Sequence, residues 1–327
     1  MSERNILVTG GAGYIGSHVC KALSAHGYTP VTYDSLVTGH RSAVKWGPLE
    51  VGDISDPQRL DKVISTYNPL AAIHFAAAAY VGESVVDPEK YYHNNVAGTI
   101  SLVSRLRARN VDKIVFSSSC ATYGIPERLP ITEADDQRPI NPYGRTKLAS
   151  ESMLKDYSEA YGGTSIALRY FNAAGCDIDG EIGESHDPET HLIPLVLLAA
   201  RDQKRTVSVY GTDYDTPDGT CIRDYVHVSD LATAHVAALN LALSAPPLGF
   251  RGVNLGAGVG ISVKEIIAVT ERFTGRRIAV EYKDRRSGDP ALLVADASLA
   301  QKILGWYPRH SDIETIVSTA WAWMTKE

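Results

Sequence analysis

The chain has 327 residues, enough to bury a large core, and this length predicts one large domain or two closely joined domains. Its 32 basic and 38 acidic residues give a net charge of −6, which argues against bulk electrostatic binding of nucleic acid. The four cysteines have neither paired nor C-x-x-C spacing, which argues against a disulfide framework or a zinc site. No apolar stretch reaches about 18 residues and no signal peptide precedes the first strand pattern, so we expect a cytoplasmic enzyme.

Short β-branched runs alternate with helical patterns through the first half of the chain. The predicted strands are 6–8, 30–33, 71–75, 113–117 and 165–169, and the long predicted helices are 56–67, 88–109 and 143–161. This alternation predicts βαβ units and therefore an α/β fold with a Rossmann-like, doubly wound parallel sheet.

The character of the chain changes beyond about residue 173, where Gly and Pro loops and isolated helices replace the regular alternation. We predict a Rossmann domain over residues 1–172 and a smaller α+β domain over residues 173–327. The second domain would lie over the carboxyl edge of the sheet and bind the substrate. The segment 229–242 could return to the first domain.

A glycine-rich turn follows the first predicted strand and opens the first predicted helix, with Gly10, Gly13 and Gly16 in the spacing G-x-x-G-x-x-G. Glycines allow the backbone to turn tightly and approach a pyrophosphate, which the helix N-terminus also favours. Asp34 ends the second strand, where its carboxylate would accept hydrogen bonds from an adenosine ribose and repel a 2′-phosphate. The pattern predicts dinucleotide binding and favours NAD over NADP.

Tyr143 and Lys147 are four positions apart, so on a helix they would lie on one face, one turn from each other. Asn141 is a suitable N-cap and Pro142 a suitable first helical residue, which predicts a helix that begins just before the tyrosine. An ammonium beside a phenol favours the phenolate and would lower the pKa of Tyr143. The pair is therefore a candidate for taking a proton from a sugar or alcohol hydroxyl as hydride leaves the carbinol carbon.

With these motifs in place, the chain resembles the UDP-glucose 4-epimerase (UDP-galactose 4-epimerase) family of the extended short-chain dehydrogenase/reductase superfamily. The resemblance covers nearly the full length, in the segments 10–18, 74–85, 91–99, 116–124, 143–147, 169–175, 191–194, 218–231, 254–260 and 285–290. It implies tightly held NAD, a UDP-sugar substrate and inversion at C4 of the hexose through a transient 4-keto sugar. It also implies a homodimer formed by two helices of each chain, which would include 88–109 and 143–161.

The resemblance further implies that Tyr143 removes the proton of the C4 hydroxyl, that Lys147 bonds the nicotinamide ribose and that Ser119 bonds the same sugar oxygen as Tyr143. The implied cofactor contacts come from the glycine turn, the strand ends and the catalytic helix. They are Gly10, Gly13, Tyr14, Ile15, Gly16, Asp34, Asp53, Ile54, Phe75, Ala76, Ala77, Asn94, Ser117, Tyr143, Lys147 and Tyr170.

For the substrate, the resemblance implies that Arg223 and Arg286 hold the diphosphate, for which guanidinium groups are well suited. Asn172 would bond near the first phosphate and Asp289 a ribose hydroxyl of the uridine. The other implied substrate contacts are Ser119, Tyr143, His191, Leu192, Tyr225 and Leu293.

Three positions depart from the pattern of the family. Ala79 stands where some members have a Lys that contacts the cofactor pyrophosphate. Leu293 stands at the position that gates pocket size, and its intermediate volume leaves acceptance of N-acetylated sugars open. His191 replaces a common Asn, and a loop histidine that bonds backbone is at least as good an interpretation as a substrate contact.

His186 and His191 are five residues apart, which is not a convincing metal pair, so no metal is expected.

Three other functions compete with UDP-hexose epimerisation. A nucleotide-sugar 4,6-dehydratase would need an Asp-Glu pair directly after Ser119, where this chain has Cys120 and Ala121, so dehydration is disfavoured. C4 epimerisation of a UDP-N-acetylhexosamine, a UDP-pentose or a UDP-uronate stays open. A catalytically inactive NAD-binding protein is disfavoured because Ser119, Tyr143 and Lys147 are all present.

Overall fold

The structure is a computed structural model that describes residues 4–244, 246–286 and 289–326. Ser287 and Gly288 of the 285–290 segment lie outside the described residues. Within these ranges the chain forms a seven-stranded sheet with helices on both faces and two smaller sheets.

The strands are β1 (Asn5–Thr9), β2 (Thr29–Asp34), β3 (Leu49–Val51), β4 (Ala71–His74), β5 (Lys113–Ser119), β6 (Thr164–Tyr170), β7 (Asn172–Ala174), β8 (Thr206–Tyr210), β9 (Ile222–His227), β10 (Gly249–Leu255), β11 (Gly260–Ser262), β12 (Ala279–Lys283) and β13 (Leu292–Leu293). The helices are α1 (Tyr14–Ala25), α2 (Pro57–Tyr67), α3 (Val81–Val86), α4 (Pro88–Tyr91), α5 (Gly98–Ala108), α6 (Pro142–Tyr161), α7 (Leu192–Arg201), α8 (Val228–Ser244), α9 (Val263–Thr274), α10 (Ser298–Leu304) and α11 (Ile313–Met324).

The large sheet has the strand order β10-β6-β5-β4-β1-β2-β3, and every neighbouring pair is parallel. Strand order reverses beside β1, because β2 lies on one side of it and β4 on the other. In open parallel sheets, ligands bind at the carboxyl ends of the strands at such a reversal. The predicted Rossmann-like α/β fold is confirmed, and the reversal predicts a ligand crevice at the loops after β1 and β4.

Helices cover both faces of this sheet. On one face, α1 and α8 pack together and contribute Val19, Leu23, Leu231 and Leu239 to a buried cluster. On the other face, α2, α5 and α6 contribute buried leucines to a second cluster, namely Leu60, Leu102 and Leu154. Burying each such side chain stabilises the fold by about 1.5–3 kcal/mol. Because both faces of the sheet are covered, its strands consist of continuous apolar residues, and this pattern made them predictable from the sequence.

The second half of the chain surrounds a small sheet centred on β9, which pairs with β11, β13 and β7. Residues of α7, α9 and α11 form a separate buried cluster with Tyr225 of this sheet. Since β7 begins two residues after β6 ends, the small sheet lies next to the carboxyl edge of the large one. The division of the chain into domains 1–172 and 173–327 stays a prediction, and α8 and β10, both beyond residue 172, pack with the large sheet.

Two elements differ from the sequence pattern. The predicted helix 88–109 is interrupted, because a stretch of π-helix at Tyr92–Ala97 separates α4 from α5. Strand β10 was not predicted, since it contains two glycines and an arginine and its first four residues are not buried. No helix in the described ranges is both long enough and apolar enough to cross a membrane.

Candidate active site

The glycine turn joins β1 to α1 through a close approach of backbone to backbone. Gly10 has φ +73°, and a Cβ at this position would lie 2.6 Å from the backbone nitrogen of Ala76. A Cβ at Gly16 would lie 2.2 Å from the carbonyl oxygen of Gly10. Side chains are therefore excluded from this turn, and the loop after β4 contacts it directly.

The N-terminus of α1 offers backbone donors to an anion. Gly13 is its N-cap, and no side chain in the described part of the chain caps the helix there. The first N–H groups of a helix, here including those of Tyr14 and Ile15, lack partners within the helix. A pyrophosphate at this end would accept from these groups and would be favoured by the helix dipole.

Asp34 lies at the end of β2, next to the glycine turn. One carboxylate oxygen accepts from the N–H of Ala12 at 2.9 Å, and the other accepts from the N–H of Leu36 at 2.8 Å. A carboxylate can accept about four hydrogen bonds, so these two hold the group in place and leave capacity for ribose hydroxyls.

Asp53 and Ile54, which follow β3, make contacts that hold the chain in place there. The Asp53 carboxylate accepts from the backbone N–H and the hydroxyl of Ser55, at 2.8 and 2.7 Å. Ile54 is buried against the helices of the second cluster. Contacts from these two residues to an adenine stay a prediction.

The loop after β4 is held beside the glycine turn. The N–H groups of Phe75 and Ala76 both donate to the carbonyl of Thr9, and Ala77 follows directly. Asn94 donates to the side-chain oxygen of Asn95 at 2.9 Å.

Asn95 is a residue that the sequence analysis missed. Its amide accepts from the N–H of Ala78 at 2.8 Å and donates to the Ala78 carbonyl at 3.0 Å. It therefore anchors the loop that contains Ala79. The adjacent pair Asn94-Asn95 inside a predicted helix was the available signal.

Helix α6 begins as the sequence predicted. The side chain of Asn141 accepts from the N–H of Gly144 at 2.8 Å, and Pro142 is the first helical residue. Lys147 is buried, and its Nζ donates to the carbonyl of Ser117 at 2.7 Å. The same Nζ lies 5.8 Å from the centre of the Tyr143 ring.

The acidities of this pair differ from the expectation. Burial raises the pKa of Tyr143 to about 12, although a hydrogen bond with Ser119 opposes the shift. Burial also lowers the pKa of Lys147 to about 7. The expected lowering of the phenol pKa is thus wrong for the protein alone. The Lys147 ammonium donates to a carbonyl and lies nearly 6 Å from the phenol ring, so its effect on the phenol pKa is smaller than that of desolvating the phenolate.

Strands β5 and β6 bring the other polar groups to the pair. Ser119 ends β5, is buried and lies opposite Tyr170 in the strand register. The hydroxyls of Ser117 and Tyr170 bond each other. Ser117, Ser119, Tyr143, Lys147 and Tyr170 are therefore gathered at one carboxyl edge of the sheet.

Glu151, one turn beyond Lys147, was also missed by the sequence analysis. It forms an ion pair with Arg169 at 2.6 Å, with both side chains almost fully buried. The hydroxyl of Ser118 donates to the same carboxylate. This network ties α6 to β5 and β6 and so fixes the position of Tyr143 and Lys147.

The predicted substrate residues are brought together around β9. Arg223 and Asp289 form a short ion pair, and the Arg223 side chain is only 10% exposed. Leu293 lies opposite Arg223 in the register of β13 and β9. Asn172 lies opposite Tyr225 in the register of β7 and β9.

Arg286 lies in the loop between β12 and β13. Its guanidinium carbon lies 3.9 Å from the centre of the Tyr210 ring, a cation–π contact. The charges of Arg223, Asp289 and Arg286 all act on the thiol of Cys221, whose pKa is raised mainly by burial. A joint diphosphate contact of Arg223 and Arg286 stays a prediction.

His191 is the N-cap of α7 and Leu192 is the first residue of that helix. The Nδ1 atom of His191 lies 2.9 Å from Glu184 and 3.0 Å from Glu189. Burial opposes its protonation, but the two carboxylates outweigh this and raise the pKa of His191 to about 10. Its observed partners are thus acidic side chains, and a contact with substrate stays a prediction.

The two positions after Ser119, Cys120 and Ala121, lie in a short 3₁₀ turn (Cys120–Thr122). Burial raises the pKa of the Cys120 thiol to about 12, so it stays protonated at neutral pH. Ala121 has no ionisable group. The turn therefore has no acid–base pair of the kind that eliminates water from a sugar.

Comparison with known proteins agrees with this geometry. The model of the NAD dependent epimerase/dehydratase family matches residues 6–249. The UDP-glucose 4-epimerase of Rhizobium meliloti (strain 1021) is 52% identical over 328 residues, which cover 100% of this chain and 98% of the relative.

Solved structures superpose closely on the whole chain. The crystal structure of UDP-glucose 4-epimerase from Brucella ovis in complex with NAD has a TM-score of 0.94 and 57% identity, covering 97% of each chain. The UDP-glucose 4-epimerase from Bifidobacterium longum in complex with NAD⁺ and UDP has a TM-score of 0.93 and 39% identity, covering 98% of each chain. With its glycine turn, its Tyr143–Lys147 pair and these full-length relatives, the chain belongs to the NAD dependent epimerase/dehydratase family.

Proposed function

We propose that this chain is an NAD-dependent UDP-hexose 4-epimerase that converts UDP-galactose to UDP-glucose through a transient 4-keto sugar. The observation that carries the proposal is the gathering of Ser119, Tyr143 and Lys147 beside a glycine turn with no acid–base pair behind the serine. Such a site can oxidise a sugar carbinol and has no group to eliminate water. Relatives named UDP-glucose 4-epimerase that match the full length support the same activity.

The residues around the glycine turn fit NAD. Backbone N–H groups at the start of α1 would bond the pyrophosphate, because a Cβ at Gly10 or Gly16 would clash and the backbone is bare there. The Asp34 carboxylate would accept from the adenosine ribose and exclude a 2′-phosphate. When bound, NAD supplies a hydride acceptor and donor for C4 of the sugar and a positive charge that favours the phenolate.

Tyr143 is the residue that we assign to the proton of the C4 hydroxyl. Its phenol is too weak an acid in the protein alone, with a pKa of about 12, to be ionised at neutral pH. Positive charge in the assembled complex must lower that pKa. Ser119, which bonds Tyr143, would relay the proton to and from the sugar oxygen. Lys147 would hold the ribose next to them from its place on the Ser117 carbonyl.

The nucleotide end of the substrate would bind at β9. Arg223 and Arg286 would hold the diphosphate, and Asp289 would bond a uridine hydroxyl while it balances the charge of Arg223. Asn172, Leu192 and Tyr225 would complete this end of the pocket. Anchoring through the diphosphate leaves the sugar free to present its other face, so hydride can return with inversion.

Acceptance of N-acetylated sugars is a second candidate activity. Leu293 is packed in a small buried cluster with Cys120, Tyr123, Ile131, Phe171 and Ala295. A leucine there is smaller than an aromatic residue and would leave more room next to Ser119. The extent of this room decides whether an acetamido group fits.

We also propose that the chain forms a homodimer through the segments 88–109 and 143–161. Large apolar side chains are exposed on and just before the first of these, including Val85, Val86, Tyr92 and Ile100. Light scattering on the purified protein should give twice the monomer mass. A cytoplasmic location stays a prediction.

The test of the proposed function is an assay with isotopically labelled substrate. Purified protein is incubated with UDP-galactose that has deuterium at C4, and the product is identified by NMR and mass spectrometry. We expect UDP-glucose that retains the deuterium, because one bound cofactor takes and returns the same hydride. Loss of deuterium to solvent, or a 4-keto-6-deoxy product, would contradict the proposal. Parallel reactions with UDP-N-acetylgalactosamine and UDP-arabinose measure the sugar range.

A further inference from the structure

Four side chains to which the proposed reaction assigns no chemical step converge in the segment between β7 and α7. They are Glu184, His186, Glu189 and His191, called here the His/Glu cluster. Each offers one atom that could bind a cation, and these four atoms all lie within 4.8 Å of one another.

The histidine-to-carboxylate separations within the His/Glu cluster are similar to the distances between neighbouring ligand atoms around a metal ion. The Nδ1 atom of His186 is 3.2 Å from Glu184 and 3.6 Å from Glu189, and the Nδ1 atom of His191 is 2.9 and 3.0 Å from the same two carboxylates. With metal–ligand bonds of about 2.1 Å, neighbouring ligand atoms lie about 3.0 Å apart in an octahedron and about 3.4 Å apart in a tetrahedron.

Hydrogen bonds account for only part of this convergence, because they join Glu189 to the backbone N–H and the imidazole of His191. The Oε1 atom of Glu184 and the Nδ1 atom of His186 are buried and 3.2 Å apart, and neither forms a well-aligned hydrogen bond with any residue that the structure describes, although Oε1 also lies 2.9 Å from the Nδ1 atom of His191. The Glu184 side chain is only 6% exposed. A buried carboxylate oxygen that has close contacts but no well-aligned hydrogen bond is poorly stabilised, and a cation between these groups would satisfy it.

Charge balance also favours a cation. When both imidazoles are neutral, the two carboxylates give the His/Glu cluster a net charge of −2, and the imidazole ring centres lie 4.9 Å apart. A divalent cation neutralises both carboxylates while the imidazoles stay neutral, which is the form that binds metals.

We propose that Glu184, His186, Glu189 and His191 bind one divalent transition-metal ion of the zinc class. Two imidazole nitrogens with two carboxylate oxygens suit zinc and its first-row neighbours, whereas magnesium and calcium prefer oxygen ligands alone. The proposal is independent of the epimerase reaction, since it concerns binding and order in this segment.

The ion would join the cofactor side of the molecule to the substrate side. His186 packs against the ring of Tyr14, in the first turn of α1, at 6.0 Å between ring centres. His191 is the N-cap of α7, where Leu192 begins the helix. An ion held by both histidines would therefore fix the start of α7 relative to the glycine turn. Coordination through Nδ1 leaves the other nitrogen of His191 able to donate.

The first test measures metal content directly. Protein without a histidine tag is stripped with a chelator, equilibrated with zinc chloride, dialysed against metal-free buffer and analysed by mass spectrometry of the elements. We expect one zinc ion per chain in the wild type and none above background in Glu184→Gln and His186→Gln. The matched control is His26→Gln, which removes an exposed histidine outside the cluster and should keep its zinc. A wild type without zinc, or cluster variants that keep it, would overturn the proposal.

A second measurement needs only the wild type, in case the variants fail to fold. Cobalt(II) replaces zinc, and the visible d–d absorption of cobalt bound to nitrogen and oxygen ligands is recorded. In parallel, the Tm is measured with zinc and with magnesium. We expect the cobalt bands and a rise of several degrees in Tm with zinc alone, because an ion that binds only the folded state stabilises it. The proposal would be wrong if cobalt gave no d–d bands and zinc gave no rise in Tm, or if magnesium raised the Tm as much as zinc.

Discussion

The cofactor half and the nucleotide-sugar half of the site are held together by different forces. Around the glycine turn, backbone contacts backbone, and a single added carbon at Gly16 would lie 2.2 Å from a carbonyl oxygen. Around β9, the positions are held by ion pairs between distant side chains, such as Arg223 with Asp289. The cofactor half should therefore tolerate almost no added atoms. The substrate half should accept substitutions, with changes in affinity or selectivity rather than loss of the site.

The largest expected effect is at the junction of the two halves. Tyr143→Phe removes the group assigned to proton transfer, so kcat should fall by about 10²–10⁴-fold while NAD stays bound. Turnover and the NAD content of the purified protein are measured together. Tyr161→Phe, at an exposed position on the same helix, is the control and should be fully active. Near-normal turnover in Tyr143→Phe would remove this residue as the base.

Gly16→Ala tests the rigidity of the cofactor half. The added Cβ meets the Gly10 carbonyl, which belongs to the backbone and cannot rotate away, so stability should fall by about 1–3 kcal/mol and NAD should be lost. Thermal unfolding and cofactor content are the measurements. Gly82→Ala is the matched control, because its Cβ would meet nothing within 4 Å and a helical alanine should be neutral or stabilising. Equal behaviour of the two variants would refute the contrast between the halves.

Asp289→Asn tests the substrate half. The change removes the charge that pairs with Arg223 and alters binding alone, so we expect KM for UDP-galactose to rise about tenfold with kcat kept. Steady-state kinetics provide both constants. Asp213→Asn, which removes a carboxylate from an exposed pair with Arg285, should leave both unchanged. A loss confined to kcat in Asp289→Asn would place this residue in the chemistry instead.

Leu293→Tyr should have the smallest effect, and on selectivity only. A ring at this position would fill space next to Cys120, so any activity on UDP-N-acetylgalactosamine should fall by up to about tenfold relative to that on UDP-galactose. The ratio of the two kcat/KM values is the measurement. Leu293→Met conserves volume and should keep the wild-type ratio. An unchanged ratio in Leu293→Tyr would exclude this residue as a gate.

Most of the large sheet could be predicted from the sequence because its strands are covered on both faces and are therefore apolar throughout. Strand β10 could not, since it is an edge strand with glycines and a poorly buried first half. The helix over 88–109 was predicted without its π-helical stretch, because a periodic pattern does not register one extra residue in a turn. The role of Asn95 could not be predicted either, because it bonds a loop residue seventeen positions earlier in the chain.

The pKa values of Tyr143 and Lys147 could not be predicted from the sequence either. The spacing of Tyr143 and Lys147 correctly indicated one helix and one face. It could not indicate that burial would raise the pKa of the phenol to about 12 and lower that of the amine to about 7. Desolvation depends on everything packed around a group, and that packing comes from distant parts of the chain.

The sequence by itself determined the elements whose geometry is local: the glycine turn, the cap of α6 at Asn141 and the missing acids after Ser119. Residue type and spacing were sufficient for these features, although the glycine turn is also held by the loop after β4. Only the tertiary structure paired Glu151 with Arg169 and Arg223 with Asp289, and turned two unremarkable histidines into the His/Glu cluster. Those contacts depend on where folding brings charged side chains, and burial then decides their strength.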